Sequence, residues 1–275
     1  MSILVPDTRS PLIKWTGSKR HLAQRIVEHF PKEIDTYYEP FVGGGSVFFE
    51  LLRSNIIEVK RFVVSDINKD LIKILKMVRE DHSSLIDEYR RHWEILQKRP
   101  EYFYEARSQY NESGSPTLFY FLTRTCFNGT IRYNANGEFN TSHHFSRPGM
   151  SPDKVSNVVT CYHNLMGDKD IEMLHSSFED IRPANSTDVV YLDPPYTNSK
   201  SLYFGNIDFP YFITWVNDLP CSWFMNLNGI NGSDNDIGVS IPYSGKVVLS
   251  SGNSSFSRMN KKIVNVGEYF YWREK

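Results

Sequence analysis

Long apolar runs are missing from this chain, and nowhere does it approach the roughly 18 to 20 consecutive apolar residues that a membrane-spanning helix needs. Residues 1–12 lack the apolar core of a secretory signal, so the protein is expected in the cytoplasm. Cysteine is scarce. Cys126, Cys161 and Cys221 lie far apart without metal-ligand spacing and are expected to be buried free thiols. His143, His144 and His163 share no consistent ligand spacing either, so exposed or nucleic-acid-facing histidines are expected and no metal. An excess of charge is also lacking: 31 Lys and Arg against 32 Asp and Glu give a formal net charge of −1. Any affinity for nucleic acid must then come from a local basic stripe and not from the total. The length of 275 residues admits one large domain or a domain carrying an insertion.

What the chain does contain is centred on Val189-Val190-Tyr191-Leu192-Asp193-Pro194-Pro195-Tyr196. The apolar, β-branched and aromatic run predicts a buried strand, and two prolines that cannot donate to a ladder or continue a helix stop it at Asp193. Those prolines also fix φ and bias the residue before each towards an extended backbone, holding Asp193 and the Pro194 carbonyl in one geometry. Two acceptors beside an aromatic ring suit a planar amine. An exocyclic NH2 on a purine or pyrimidine is a poor nucleophile, because its lone pair is delocalised into the ring. Accepting both of its hydrogens favours a tetrahedral nitrogen with the lone pair free, which is stabilisation aimed at the developing charge.

Earlier in the chain, Leu12 to Trp15 reads as a short extended run and Gly17-Ser18 as a turn and cap. Leu22, Ile26, Val27 and Phe30 then recur on one face of a helix ended by Pro31. Lys19 and Arg20 fall in that helix's first turn, where cations are unfavourable against the helix dipole unless an anion lies nearby. Glu39-Pro40-Phe41-Val42-Gly43-Gly44-Gly45-Ser46 predicts strand, glycine turn and helix, an arrangement that lets backbone approach a nucleotide-like ligand; the spacing is not that of a dinucleotide fingerprint. A second strand, Arg61 to Ser65, ends at Asp66, where doubly wound folds place an acid for ribose hydroxyls; a helix N-cap is the competing role.

Residues 67–126 change character, with helices predicted from Ile67 onward, around Leu85–Leu96, Tyr102–Tyr110 and Thr117–Cys126. Their Arg79, Arg90, Arg91, Lys98, Arg99, Arg107 and Arg124 are interleaved with acids, and most of them read as solvated helix charges. Asn136-Gly137 predicts a hairpin carrying Asn128, Arg132 and Asn140, donors and acceptors able to read base edges. From Asp170 the α/β pattern returns: strands at Ile171–Leu174 and Trp223–Leu227, a helix at Phe209–Leu219, a surface loop at 228–240 and a closing hairpin within Lys262–Trp272.

Taken together, these segments resemble the Dam-type adenine-N6 DNA methyltransferases, whose motifs run in the same order over nearly the whole chain. Lys14-Trp15-Thr16-Gly17-Ser18-Lys19 is similar to that family's N-terminal cofactor segment and Glu39 to Ser46 to its glycine loop. Asp66 is similar to its ribose-binding acid, Ser177-Phe178 to the segment beside the cofactor adenine, and Asp193-Pro194-Pro195-Tyr196 to its catalytic motif. The resemblance implies S-adenosylmethionine as methyl donor, held by Trp15, Lys19, Phe41, Gly43, Gly45, Asp66, Ser177, Phe178 and Asp193. It implies double-stranded DNA as partner, met by Lys14, Asn128, Arg132, Asn134, Asn140 and Arg147, with a flipped adenine stacked near Tyr196. The fold it implies is a Rossmann-like methyltransferase sheet with an inserted helical DNA-recognition domain and β-hairpin. Residues 1–70 and 159–275 would form the catalytic domain and 71–158 the insertion. A cognate restriction endonuclease acting on the same site, without a stable complex, is a further expected partner.

One departure stands out. Members that methylate GATC continue after Phe-Asn with Val-Pro-Phe-Gly-Arg, whereas this chain has Thr141-Ser142-His143-His144-Phe145-Ser146-Arg147-Pro148-Gly149-Met150, which argues against a GATC target. A cytosine-N4 methyltransferase would use the same amine chemistry but more often carries Ser in place of Asp193. An RNA or protein amide methyltransferase commonly carries Asn there and would not need the hairpin. Pro220-Cys221 has the form of a cytosine-C5 nucleophile without that family's surroundings. A DNA-binding protein without catalysis would have no use for the glycine loop, Asp66 and Asp193 together.

Overall fold

The computed structural model describes residues 10–15, 17–147, 149–195, 207–228, 241–253 and 265–275. In chain order the elements begin with α1 (Ala23–Val27), β1 (Glu33–Glu39), α2 (Ser46–Arg53), β2 (Glu58–Asp66), α3 (Lys69–Glu80), α4 (His82–Lys98), α5 (Tyr102–Ser113), α6 (Pro116–Thr125) and α7 (Pro152–Met166). They continue with β3 (Ile171–His175), β4 (Val189–Leu192), α8 (Phe209–Asp218), β5 (Ser222–Asn228), β6 (Gly245–Asn253) and β7 (Asn265–Arg273). Among the described residues no helix is long and apolar enough to cross a membrane. The chain divides into two units.

The sheet unit comprises Lys19–Val42, Arg53–Ile67 and the described residues from Asp170 onward. Its seven strands lie in the order β3-β2-β1-β4-β5-β7-β6. The first five are parallel, and β7 runs antiparallel between β5 and β6. Strand β4 is buried at every position, as expected of a parallel strand inside a sheet covered on both faces. On one face Phe30 packs against Tyr37, Tyr191 and Phe224, with ring centroids 4.7 Å apart in the Phe224 pair. On the other, Phe212 and Val216 of α8 join Val190, Leu192, Trp223, Met225 and Leu227 in an apolar core. Helix α1 stops earlier than its apolar spacing predicts. Pro31 disfavours helical backbone at Phe30, and His29 and Phe30 close tighter turns on Ile26 and Val27 instead. Strand β6 was not expected from the sequence, and the 228–240 loop lies outside the described residues apart from Asn228.

The helical unit comprises the described residues up to Ser18, Gly43–Leu52 and Asn68–Lys169. Asn68 caps α3, its Oδ1 accepting from the Asp70 and Leu71 amides at 3.0 and 3.3 Å, so Asp66 is not the cap. Ser115 caps α6, where Pro116 opens the helix. Helix α7 begins with Pro152 and buries Val155, Val158, Val159, Tyr162 and Met166; its valines read equally as strand, and the sequence analysis assigned it no element. It also spans the expected domain boundary between residues 158 and 159.

Three expectations are corrected or trimmed in this unit. Arg124 is not a solvated helix charge: it is 2% exposed, and its Nη2 donates to the Pro11 and Leu12 carbonyls at 2.5 Å each. Every residue of α6 from Leu118 to Thr125 is buried, so a charge there can only be internal. His143 is likewise not exposed. Its ring is buried and stacked on Phe103. The predicted hairpin forms as a short one: a Tyr133–Phe139 bridge with backbone bonds from the Asn134 amide to the Glu138 carbonyl and from the Asn140 amide to the Arg132 carbonyl. A separate bridge joins Cys126 and His143, and no ladder longer than this is formed there among the described residues. Thr141 Oγ1 explains part of the break: it accepts from the Arg132 amide and donates to the Thr130 carbonyl, replacing ladder bonds with side-chain bonds. The three cysteines are free and buried as expected. Burial pushes the Cys126 and Cys221 thiols up to about 12.

Candidate active site

In the sheet unit the chain runs from β1 outward to β2 and β3, then returns to β4 on the opposite side of β1. The strand order reverses between β1 and β4, and in open α/β sheets ligands bind outside the carboxyl ends of the strands at such a point. Asp193, which follows β4, stands there, with Asp66 closing β2 and Phe41 following β1. A bond from the Val42 amide to the Ser65 carbonyl at 2.9 Å draws the segment after β1 alongside the end of β2. Phe178, in the short 3-10 turn after β3, has its ring centroid 5.7 Å from that of Phe41. Ser177 caps that turn: its Oγ accepts from the Glu179 amide, while its own amide donates to Asp180.

Lys19 is the central cation of this unit. It is 4% exposed, and its Nζ lies 2.9 Å from Asp193 Oδ1 and 3.6 Å from Glu268 Oε2. Helix α1 starts only at Ala23, so Lys19 and Arg20 precede it and do not fall in its first turn as expected; the Lys19 ammonium is met instead by the Asp193 carboxylate, with Glu268 beyond it. Burial pushes the Glu268 carboxyl up, with Lys19 opposing and Asp193 adding to the rise. Glu268 also accepts from Asn226 Nδ2 at 3.3 Å, and Asn226 Oδ1 accepts from the Tyr191 hydroxyl at 2.9 Å. Sequence reasoning missed Glu268. Its signal was present: it is the one charge in Val266-Gly267-Glu268-Tyr269-Phe270-Tyr271-Trp272, and a strand otherwise apolar on both faces must bury it. Pro194 and Pro195 follow Asp193 as expected, whereas Tyr196 lies outside the described residues.

The remaining expected site residues fall in the helical unit. Gly43 and Gly45 have φ of +47° and +69°, a backbone that favours glycine. A Cβ on Gly43 would meet the Trp15 indole at 3.0 Å, and one on Gly45 would meet the Phe49 ring at 2.6 Å. The glycine turn thus admits aromatic rings of its own chain as well as strained dihedrals. Ser18 and Ser46 share a hydroxyl bond at 2.8 Å across the same turn. Lys14 packs against Gly129, where a Cβ would meet its Cδ at 2.8 Å. Partial burial lowers its pKa, with Arg124 and then Arg147 adding to the effect and Cys126 opposing it. Asn128, Arg132, Asn140 and Arg147 are exposed. Asn134 is not presented in that way. Its Oδ1 accepts from the Asn136 and Glu138 amides and its Nδ2 donates to Glu138, so its side chain builds the turn.

A mostly parallel sheet with Asp66 closing β2 and Asp193-Pro194-Pro195 following β4 has the form of a Rossmann-like methyltransferase. Comparison with known proteins makes the assignment specific. Residues 15–214 match the model of the D12 class N6 adenine-specific DNA methyltransferases. The chain is 35% identical over 205 residues to the type II methyltransferase M.MjaIII of Methanocaldococcus jannaschii, and the match covers 68% of each. It is 30% identical over 196 residues to the type II methyltransferase M.CviBI of Paramecium bursaria Chlorella virus NC1A, again over 68% of each. With the DNA adenine methylase of Escherichia coli K12 it shares 31% identity over 189 residues, 67% of this chain and 64% of that one. The chain belongs to the D12 class N6 adenine-specific DNA methyltransferase family. It is a methyltransferase for N6 of adenine in DNA, with S-adenosylmethionine as methyl donor.

The sheet unit has the chemistry this donor requires. An adenosyl group needs acceptors for two ribose hydroxyls and an apolar surface for its purine, and the carboxylate of Asp66 and the paired rings of Phe41 and Phe178 are groups of those kinds.

Proposed function

We propose that Asp193 carries the reaction and that the helical unit reads the DNA. S-adenosylmethionine supplies, when bound, an electrophilic methyl group on a sulfonium. The protein's task is to make the amine a nucleophile. The Asp193 carboxylate and Pro194 carbonyl accept the two N6 hydrogens of an adenine turned out of the duplex, and Tyr196 stacks against its ring. The single observation that carries this reading is the Lys19–Asp193 pair: a buried cation fixes the acceptor carboxylate at the switch point of the sheet.

Asp66 holds the ribose, Phe41 and Phe178 flank the purine, and Ser177 positions Phe178 through its cap. Trp15, Gly43 and Gly45 keep their expected cofactor roles. For Lys19 the reading changes: its ammonium serves the acceptor carboxylate, beyond the cofactor-holding role expected of it. Residues 71–158 serve as the inserted target-recognition domain, with Lys14, Asn128, Arg132, Asn140 and Arg147 as DNA contacts. Asn134 supports them by shaping the turn. Residues 141–150 depart from the GATC pattern, which argues against a GATC target, and Arg147 is the reader expected there. Some of the relatives are named as type II methyltransferases, which favours a cognate restriction endonuclease that shares the site without a stable complex, in the cytoplasm where chromosomal DNA lies. Calorimetry tests the cofactor assignment. Asp66→Ala should bind S-adenosylmethionine about ten- to a hundredfold more weakly, the value of one charge-assisted bond. Unchanged affinity would remove Asp66 from the site.

A further inference from the structure

Glu268 lies on β7, the antiparallel strand inserted between β5 and β6, yet it reaches the acceptor carboxylate of β4 through a closed string of polar groups. The Tyr191 hydroxyl donates to Asn226, Asn226 donates to Glu268, and Lys19 bridges Glu268 and Asp193, which stands two residues after Tyr191. The string therefore begins on β4, at Tyr191, and ends at Asp193, the residue that follows that strand. Its members are deeply placed, with Tyr191 1%, Asn226 0% and Lys19 4% exposed. They share a sheet face with Phe224 and Phe270, where apolar side chains would fill the space without any polar group to satisfy.

The charge count explains the second carboxylate. Lys19 with Asp193 alone would be a neutral pair, and its ammonium would occupy the acceptor that a substrate amine requires. Glu268 takes a share of that ammonium and leaves the trio with a net charge of −1, so Asp193 keeps acceptor strength. Among the described residues, Lys19 and Asp193 are the charged groups that act on Glu268. Its register partners, Asn228 on β5 and Leu249 on β6, carry no charge.

We propose that Glu268 is a positioning residue for methyl transfer, acting through Lys19 to hold the Asp193 carboxylate in place and to keep it a strong acceptor for the substrate amine. This rests on the role given above to Asp193. Buried carboxylates beside one another resist ionising together, so the acid limb of the rate profile belongs to the pair. Removing Glu268's charge moves that limb to lower pH, which a merely structural role would not do.

The experiment is single-turnover transfer of labelled methyl from S-adenosylmethionine to unmethylated chromosomal DNA, from about pH 5 to about pH 9, for wild type, Glu268→Gln and Glu268→Asp. Glu268→Gln is expected to lower the plateau rate about ten- to a hundredfold and to move the acid limb down by about half a pH unit or more, with cofactor affinity within about twofold. Glu268→Asp, which keeps the charge at shorter reach, is expected to keep the limb and lower the plateau by a smaller factor. A Glu268→Gln enzyme whose limb coincides with wild type overturns the proposal, whatever its rate. Should Glu268→Gln fail to fold, Glu268→Asp decides alone: a plateau equal to wild type overturns the proposal, and a reduced plateau with an unmoved limb supports it. Wild type that transfers no methyl group overturns the functional reading as well, whereas an active wild type without the shift overturns only the role of Glu268.

Discussion

The Lys19 ammonium and the Asp193 carboxylate meet at 2.9 Å, the lysine side chain 4% exposed and the aspartate 20%. Removing one partner of so enclosed a pair leaves charge without compensation. Lys19→Met would leave Asp193 and Glu268 facing each other, and losses of about 3 to 5 kcal/mol are typical, about 10 °C in melting temperature. The sign with pH is fixed. Glu268's carboxyl already sits above its ordinary value, and without the opposing charge of Lys19 it rises further, so the deficit is full at neutral pH and relieved as acid protonates it. Melting curves for both proteins at neutral and mildly acid pH should converge on the acid side. Equal melting temperatures at neutral pH would show that Lys19 does not hold the carboxylates.

Arg124 predicts a different failure. Its Nη2 donates to the carbonyls of Pro11 and Leu12 and lies 3.2 Å from the Tyr120 hydroxyl, tying the segment that carries Lys14 and Trp15 to α6. Arg124→Ala should lose about 2 to 4 kcal/mol, because one buried and one half-buried carbonyl are left without their donor. Arg124→Lys should recover little, since one ammonium does not reproduce the planar fork. Urea unfolding measures both. A midpoint unchanged in Arg124→Ala would mean that water replaces the guanidinium without penalty.

Specificity provides a third expectation. Arg132 and Arg147 are exposed, and Arg132 has the fork for a bidentate contact to guanine in a major groove. Arg132→Ala should cost about 1 to 3 kcal/mol on the preferred site and relax selectivity at one base position, and Arg147→Ala should do the same at another. Genome-wide mapping of methylated sites in cells expressing each variant reads this directly. An identical motif in both variants, with only the rate reduced, would move base reading elsewhere in the chain.

The sequence revealed what short-range chemistry dictates. Pro194 and Pro195 end a strand wherever they follow one, so β4 and the position of Asp193 were legible, as were the helices α4 to α6 from their apolar spacing. Contacts between distant residues were not. Nothing local to Lys19 names Glu268 as its neighbour, and the link appears only when β7 enters the sheet between β5 and β6. Strand β6 was hidden because Ser250-Ser251-Gly252-Asn253 reads as loop, and pairing with β7 overrides that composition. Arg124 was misread for the opposite reason. Its charge was weighed alone, although the apolar residues Leu118 to Leu122 before it already marked a helix buried on all sides.

The central claim is that Asp193 activates the N6 amine of adenine, and the most direct measurement is the identity of the methylated base. Unmethylated DNA treated with enzyme and labelled S-adenosylmethionine is digested to nucleosides and separated. Wild type should place the label on N6-methyladenine. Asp193→Ala should place none there while still binding DNA, because the lost interaction belongs to the transition state. Label on N4-methylcytosine, or near-normal N6-methyladenine from Asp193→Ala, would contradict the account.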